Sequence, residues 1–309
     1  MRAAIIPAFG RPPQVGEWPD PKPLPGQTLI RNRAAAVNPV DLKMASGTYY
    51  FGAPEPPYVA GAEGVGEANG VRYWYETGQR GGAFAELTAV DSDHLVALPD
   101  GLENAVAATL GVAGLAAWDA LARRAALRKG ETVLVLGASG AVGAFAVQIA
   151  RLLGAWKVVA AARDTGTLSP SVRTAADTVV ALDGDDLVAR LGAAAPAGYD
   201  VIIDPLWGLP AQAALACTAE NARLVQLGSA AGETVPIAGG IVRKSSTSIL
   251  GYTIYAIPWE IKREAYRQLA AHAAAGRLVV EWESLPLAEI AEAWELQAHS
   301  PHRKLVLEM

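Results

Sequence analysis

The chain has 309 residues, half of them hydrophobic and 18% charged, which is long for one core and suits two well-packed domains. A formal charge of -5 without a dense Lys/Arg cluster argues against nucleic acid as a partner, and no apolar run resembles a signal peptide or a bilayer span, so no membrane and a cytoplasmic location are expected. Cys217 is the single cysteine, which excludes an intrachain disulfide and a cysteine-rich zinc site, and the histidines His94, His272, His299 and His302 lack metal-binding spacing.

Up to about residue 105 the chain is rich in Pro and Gly and carries short strand-like runs, Thr28 to Ala34 and Phe84 to Val90, which predict a β-rich, turn-heavy domain. From Leu102 the texture changes to Ala/Leu stretches, with helices predicted over Glu103 to Leu110 and Leu115 to Ala126. Thr132 to Leu136 reads as a buried strand. A Gly-rich turn follows, then a helix with Val142, Phe145, Ile149 and Leu152 on one face. Further strand-like runs, Lys157 to Ala162, Thr178 to Leu182, Asp200 to Asp204 and Arg223 to Leu227, alternate with helical material. That alternation predicts an α/β fold with a doubly wound parallel sheet. The tail offers a helix from Trp259 through Ala275, a strand at Arg277 to Glu281, a helix around Leu287 to Gln297 and a closing strand Lys304 to Glu308.

The segment Gly137-Ala138-Ser139-Gly140-Ala141-Val142-Gly143 stands between a buried strand and the first turn of a helix, where a dinucleotide fingerprint must stand. Glycines let backbone approach a pyrophosphate, and the free amides and dipole of the helix start face the anion. The spacing departs from G-x-G-x-x-G because Ala138 replaces a glycine; a ligand-free tight turn is the plainer alternative. The next strand ends at Arg163-Asp164. A basic residue there suits the 2′-phosphate of NADPH and an acidic one the 2′-OH of NADH, so Arg163 favours NADPH while Asp164 keeps NADH open. Arg163 could also be a solvated surface charge.

Several segments together resemble the zinc-independent, zeta-crystallin-like quinone oxidoreductases of the medium-chain dehydrogenase/reductase superfamily. They are Ala36-Val-Asn38-Pro-Val-Asp41, Ser46-Gly-Thr-Tyr49, Gly61-Ala-Glu63-Gly64-Val-Gly66, Gly81-Gly-Ala-Phe-Ala-Glu86, the Gly137 to Gly143 turn, Tyr199 to Asp204, Arg223 to Gly228 and Lys304-Leu-Val-Leu307. The resemblance implies a β-rich GroES-like domain from residues 1–105 and 255–309 and a Rossmann domain from 106–254. It places Asn38 and Tyr49 at the nicotinamide and substrate end, Ser139 to Gly143 on the pyrophosphate, Arg163 on the 2′-phosphate, and Gly228 and Lys304 among further cofactor contacts, with Asp41 bracing a loop. It also implies a homodimer. In the related zinc enzymes a metal-ligand cysteine stands where this chain has Asn38. Asn38-Pro39 also reads as turn chemistry, and Tyr49 with Tyr50 as an aromatic packing pair. The chain departs from the family pattern in having Ala116 where Thr is usual, and in a shortened, aromatic stretch Glu67 to Glu76.

The expected activity is zinc-independent hydride transfer from NADPH to a quinone or similar conjugated carbonyl. Reduction of an activated carbon–carbon double bond, as by an enone or enoyl reductase, and nucleotide binding without catalysis are the competing readings.

Overall fold

The computed structural model describes residues 1–309, apart from the side chain of Gln79. The chain divides into two compact units, Met1–Ala113 with Ile257–Met309, and Gly114–Ala256.

The first unit is built mainly of strands. In chain order these are β1 (Arg2–Ile6), β2 (Gln14–Glu17), β3 (Gln27–Val37), β4 (Tyr58–Val59), β5 (Glu63–Ala68), β6 (Val71–Glu76), β7 (Leu87–Asp91) and β8 (Leu95–Ala97), with helix α1 (Pro39–Ala45) after β3. The long β3 is the spine: β5, β7 and the C-terminal strand all pair with it antiparallel. Its first half alternates buried Ile30, Asn32 and Ala34 with more exposed neighbours, as expected for a sheet with one face on a core.

Helix α2 (Asn104–Thr109) closes this part of the chain, and α3 (Leu115–Asp119) opens the second unit. The sequence reading found no run long enough to span a bilayer. The helical stretch Asn104–Arg124 does have that length and composition, but 72% of its apolar window is buried within the protein, the pattern of a core helix.

The second unit then alternates β9 (Thr132–Leu136), α4 (Ala141–Leu152), β10 (Lys157–Ala162), α5 (Pro170–Ala175), β11 (Thr178–Ala181), α6 (Leu187–Ala194), β12 (Tyr199–Asp204), α7 (Gly208–Leu215), β13 (Thr218–Gln226), α8 (Gly239–Lys244) and β14 (Ser248–Gly251). All pairings are parallel, in the order β11-β10-β9-β12-β13-β14. Residues 133–136, 158–162 and 201–204 are fully buried, as a parallel sheet covered on both faces requires. The order reverses between β9 and β12, so the topological switch point lies at the ends of those strands, where open α/β sheets bind ligands.

The tail belongs to the first unit: α9 (Trp259–Ala274), β15 (Trp282–Pro286), α10 (Ile290–Ala298) and β16 (Lys304–Glu308). The strand expected at Arg277 to Glu281 forms instead at Trp282–Pro286. Parallel pairing with β16, from Trp282↔Lys304 to Pro286↔Glu308, sets that register, and it buries Leu285 in the core.

Candidate functional site

The turn between β9 and α4 is shaped by two glycines. Gly137 has φ +65, a conformation that L side chains rarely adopt. Gly143 packs against it so closely that a Cβ would stand 2.2 Å from the Gly137 carbonyl oxygen. Helix α4 starts from Gly140 in extended conformation, and its first backbone bond runs from the Ala144 amide to the Gly140 carbonyl. The amides of Ala141, Val142 and Gly143 therefore precede the helical ladder, at the positive end of its dipole. Ser139 is half-buried and Gly140 exposed, so the lip of the turn is open to a ligand. The cradle fits a pyrophosphate, and a Cβ at Gly143 would close it.

Past β10, Arg163 is exposed and makes no hydrogen bond or ion pair among the described residues. Asp164 is already engaged, accepting the Gly166 amide at 2.7 Å. Arg173 of α5 steadies the same loop by donating to the carbonyls of Thr165 and Leu168. Gly228, beyond β13, lies where a Cβ would meet the Pro205 carbonyl oxygen at 2.9 Å, so the loops following β12 and β13 touch through backbone.

The first unit holds a buried polar cluster around Asn38. Asn38 is 1% exposed and precedes α1; its amide N–H donates to Asp41 Oδ2 at 2.8 Å, and Asp41 thus braces the turn. Both side-chain amide protons of Asn38 are spent, on the Ala36 carbonyl at 3.0 Å and on Glu63 Oε1 at 2.9 Å, while its Oδ1 accepts Lys304 Nζ at 2.6 Å. Glu63 Oε2 accepts the Trp74 indole N–H at 3.1 Å and the Val112 amide at 2.8 Å. Trp74 in turn stacks on Tyr266, ring centroids 4.2 Å apart.

Burial raises the Glu63 carboxyl, against the pull of the Lys304 ammonium and its hydrogen bonds; burial lowers Lys304, opposed by Glu63 and Asp41. Burial also pushes Asp41 up to about 7. Lys304 is 3% exposed and belongs to this cluster, whereas the phosphate turn and Arg163 belong to the other unit. Tyr49 is half-buried, its ring 4.9 Å from that of Tyr50, and burial raises its phenol well above the usual value.

Residues 24–73 match the alcohol dehydrogenase GroES-like domain, and residues 141–275 match the zinc-binding dehydrogenase domain. A human quinone oxidoreductase is 31% identical over 320 residues, covering 97% of this chain and 94% of that protein. A llama (Lama guanicoe) quinone oxidoreductase is 32% identical with the same coverage. The chain belongs to the quinone oxidoreductase branch of the medium-chain dehydrogenase/reductase superfamily.

Among solved structures, the quinone oxidoreductase of Thermus thermophilus, also determined in complex with NADPH, superposes with a TM-score of 0.87 at 29% identity over the whole of both chains. An NAD-dependent alcohol dehydrogenase superposes with a TM-score of 0.90 at 25% identity, again over both full chains. This family uses a nicotinamide cofactor. Zinc, suggested by the name of one matching domain, does not fit the cluster around Asn38. Both Glu63 oxygens are taken by protein donors, Asn38 Oδ1 is taken by the Lys304 ammonium, and Lys304 brings a positive charge where a metal would need anionic or neutral ligands. Among the described residues, no group of three or more His, Cys, Asp or Glu side chains is placed to hold a metal ion.

Sequence reasoning singled out none of three residues that the structure makes conspicuous. Glu63 was visible only as a letter in a Gly-x-Glu-Gly stretch, and its role as the acceptor for three donors depends on strands and a helix distant in sequence. Asp204 and Trp207 lie on the turn after β12, and no spacing rule singles them out.

Proposed function

We propose that this family member is a zinc-independent, NADPH-dependent reductase of quinones or similar conjugated carbonyls. The observation that carries the cofactor choice is the pair at the end of β10: the Arg163 guanidinium is exposed with no partner among the described residues, while the Asp164 carboxylate is bound to its own loop. An uncommitted guanidinium can fork onto a 2′-phosphate, and an engaged carboxylate is a poorer acceptor for a 2′-OH. The bound nicotinamide supplies the hydride. The chain's part is to grip the pyrophosphate through the amides of Ala141 to Gly143 and to hold the 2′-phosphate with Arg163; Asn38, expected at the substrate end, is buried with its amide fully bonded to protein and has no group left for an acceptor.

A second reading, reduction of an activated carbon–carbon double bond, takes as proton donor the phenol of Tyr49, which lies half-buried beside Tyr50. Turnover of NADPH and NADH against a panel of quinones, enones and aldehydes, with a chelator present, tests both. Chelator-insensitive quinone reduction with NADPH supports the main reading. A preference for NADH removes Arg163 from its role, and turnover of enones alone promotes the second reading.

The protein is further proposed to act as a homodimer. Strand β14 ends the six-stranded sheet with Ile249 38% exposed, an edge suited to pairing with a second copy.

A further inference from the structure

The turn after β12 contains two unfavourable features side by side. Trp207 has φ +55 and ψ -153, a region that is essentially glycine's own. Asp204 is 0% exposed, its Oδ2 has no hydrogen-bond partner among the described residues, and burial pushes its carboxyl up to about 6. The first depends on the second. Asp204 Oδ1 accepts the amides of Leu206 at 2.9 Å and Trp207 at 2.8 Å, which bends the chain into that conformation. The loop beyond β13 clamps the turn from the other side, with the Ala231 amide on the Leu206 carbonyl at 2.7 Å. Gly208 is needed there, since a Cβ would meet the Ala231 carbonyl oxygen at 2.8 Å.

Strain maintained by a dedicated buried carboxylate calls for a functional reason, and the position supplies one. Asp204 ends β12 at the topological switch point, beside β9. A Cβ built on Gly137 would lie 3.1 Å from Leu206 and 3.3 Å from Pro205, so this turn borders the phosphate cradle itself. Trp207 is half-buried: part of its indole packs on the sheet's core cluster and the remainder is accessible. A dinucleotide brings two planar heteroaromatic rings to this edge of the sheet, and an indole is the side chain best suited to stack on one.

We propose that Trp207 stacks on a planar ring of the bound dinucleotide and that Asp204 is the positioning residue that holds it there. The proposal rests on the dinucleotide reading of the Gly137 to Gly143 turn.

Calorimetric titration of the full chain with NADPH and with 2′,5′-ADP, alongside melting temperatures, tests it. Trp207→Leu, which keeps apolar bulk without a planar ring, is expected to weaken NADPH binding roughly 5- to 100-fold, the range of base–aromatic stacking. Trp207→Phe is expected to stay within about threefold of wild type, because a planar ring remains. A loss shared by 2′,5′-ADP assigns the stack to adenine; a loss confined to NADPH assigns it to the nicotinamide. Asp204→Ala should weaken binding in the same pattern without touching residue 207. Asp204→Asn should restore it, since the amide oxygen still accepts both backbone N–H groups. Trp207→Leu binding both ligands as wild type does, with its melting temperature retained, overturns the proposal and leaves the dinucleotide reading standing. Failure of the wild-type chain to bind NADPH sinks the reading beneath it.

Discussion

Arg163 and Lys304 are both basic, yet their surroundings give them different work. Arg163 stands exposed beside a carboxylate already in use, so its charge is available to a ligand. Its replacement by Ala is expected to raise KM for NADPH by roughly 10- to 100-fold, the worth of a charge-assisted contact to phosphate, with little change for NADH; steady-state kinetics with the two cofactors checks this. Lys304 is sealed in with Asn38, Glu63 and Asp41, and removing it strands a buried carboxylate. Lys304→Met should therefore cost about 3–5 kcal/mol of stability, as read from chemical denaturation. The sequence named both lysine and arginine as cofactor contacts. Only burial distinguishes them, because burial turns a charge from a handle for ligands into an obligation to its neighbours.

At the scale of elements, backbone approach decides more than side-chain identity. The helical stretch after Asn104 breaks at Gly111, whose ψ of -105 is non-helical, and a Cβ there would fall 1.5 Å from Glu63 Oε2. The kink is what lets Glu63 reach the Val112 amide. Gly111→Ala is thus expected to expel the carboxylate and lower the melting temperature by several degrees, on the order of a few kcal/mol for a broken buried network. The strand–turn–helix around Gly143 repeats the principle. Gly143→Ala should abolish NADPH binding in calorimetry, because the added carbon stands against the Gly137 carbonyl and closes the cradle. The Gly137 to Gly143 turn was legible from its place between apolar strand and amphipathic helix. The Gly111 kink was not, since a glycine in an Ala-rich helix carries no mark of the carboxylate that needs the space.

The whole molecule carries a pH signature from its buried carboxyls. Asp204 and Asp41 are pushed up to about 6 and about 7, above their ordinary value of 3.8, so the folded state holds protons that the unfolded state has released. Their stabilisation is complete below pH 4 and is lost as pH rises through about 6 to 7. The melting temperature is expected to rise as pH falls from 7 toward 5, and Asp204→Asn should flatten the slope; for Asp204 alone that span corresponds to about 1 kcal/mol. The proposed dimer is tested at the same scale: light scattering should report twice the chain mass, and Ile249→Glu should shift it toward monomer. The fold class, the alternation of β9 to β13 with helices, the phosphate turn and the family itself were determined by the sequence alone, because apolar periodicity and glycine punctuation are local and survive without a partner. The register of β15, the saturation of Asn38, the sealing of Lys304 and the strained Trp207 were decided only in the tertiary structure. Each of these depends on groups far apart in the chain, whose mutual burial sets both their charge and their hydrogen bonds.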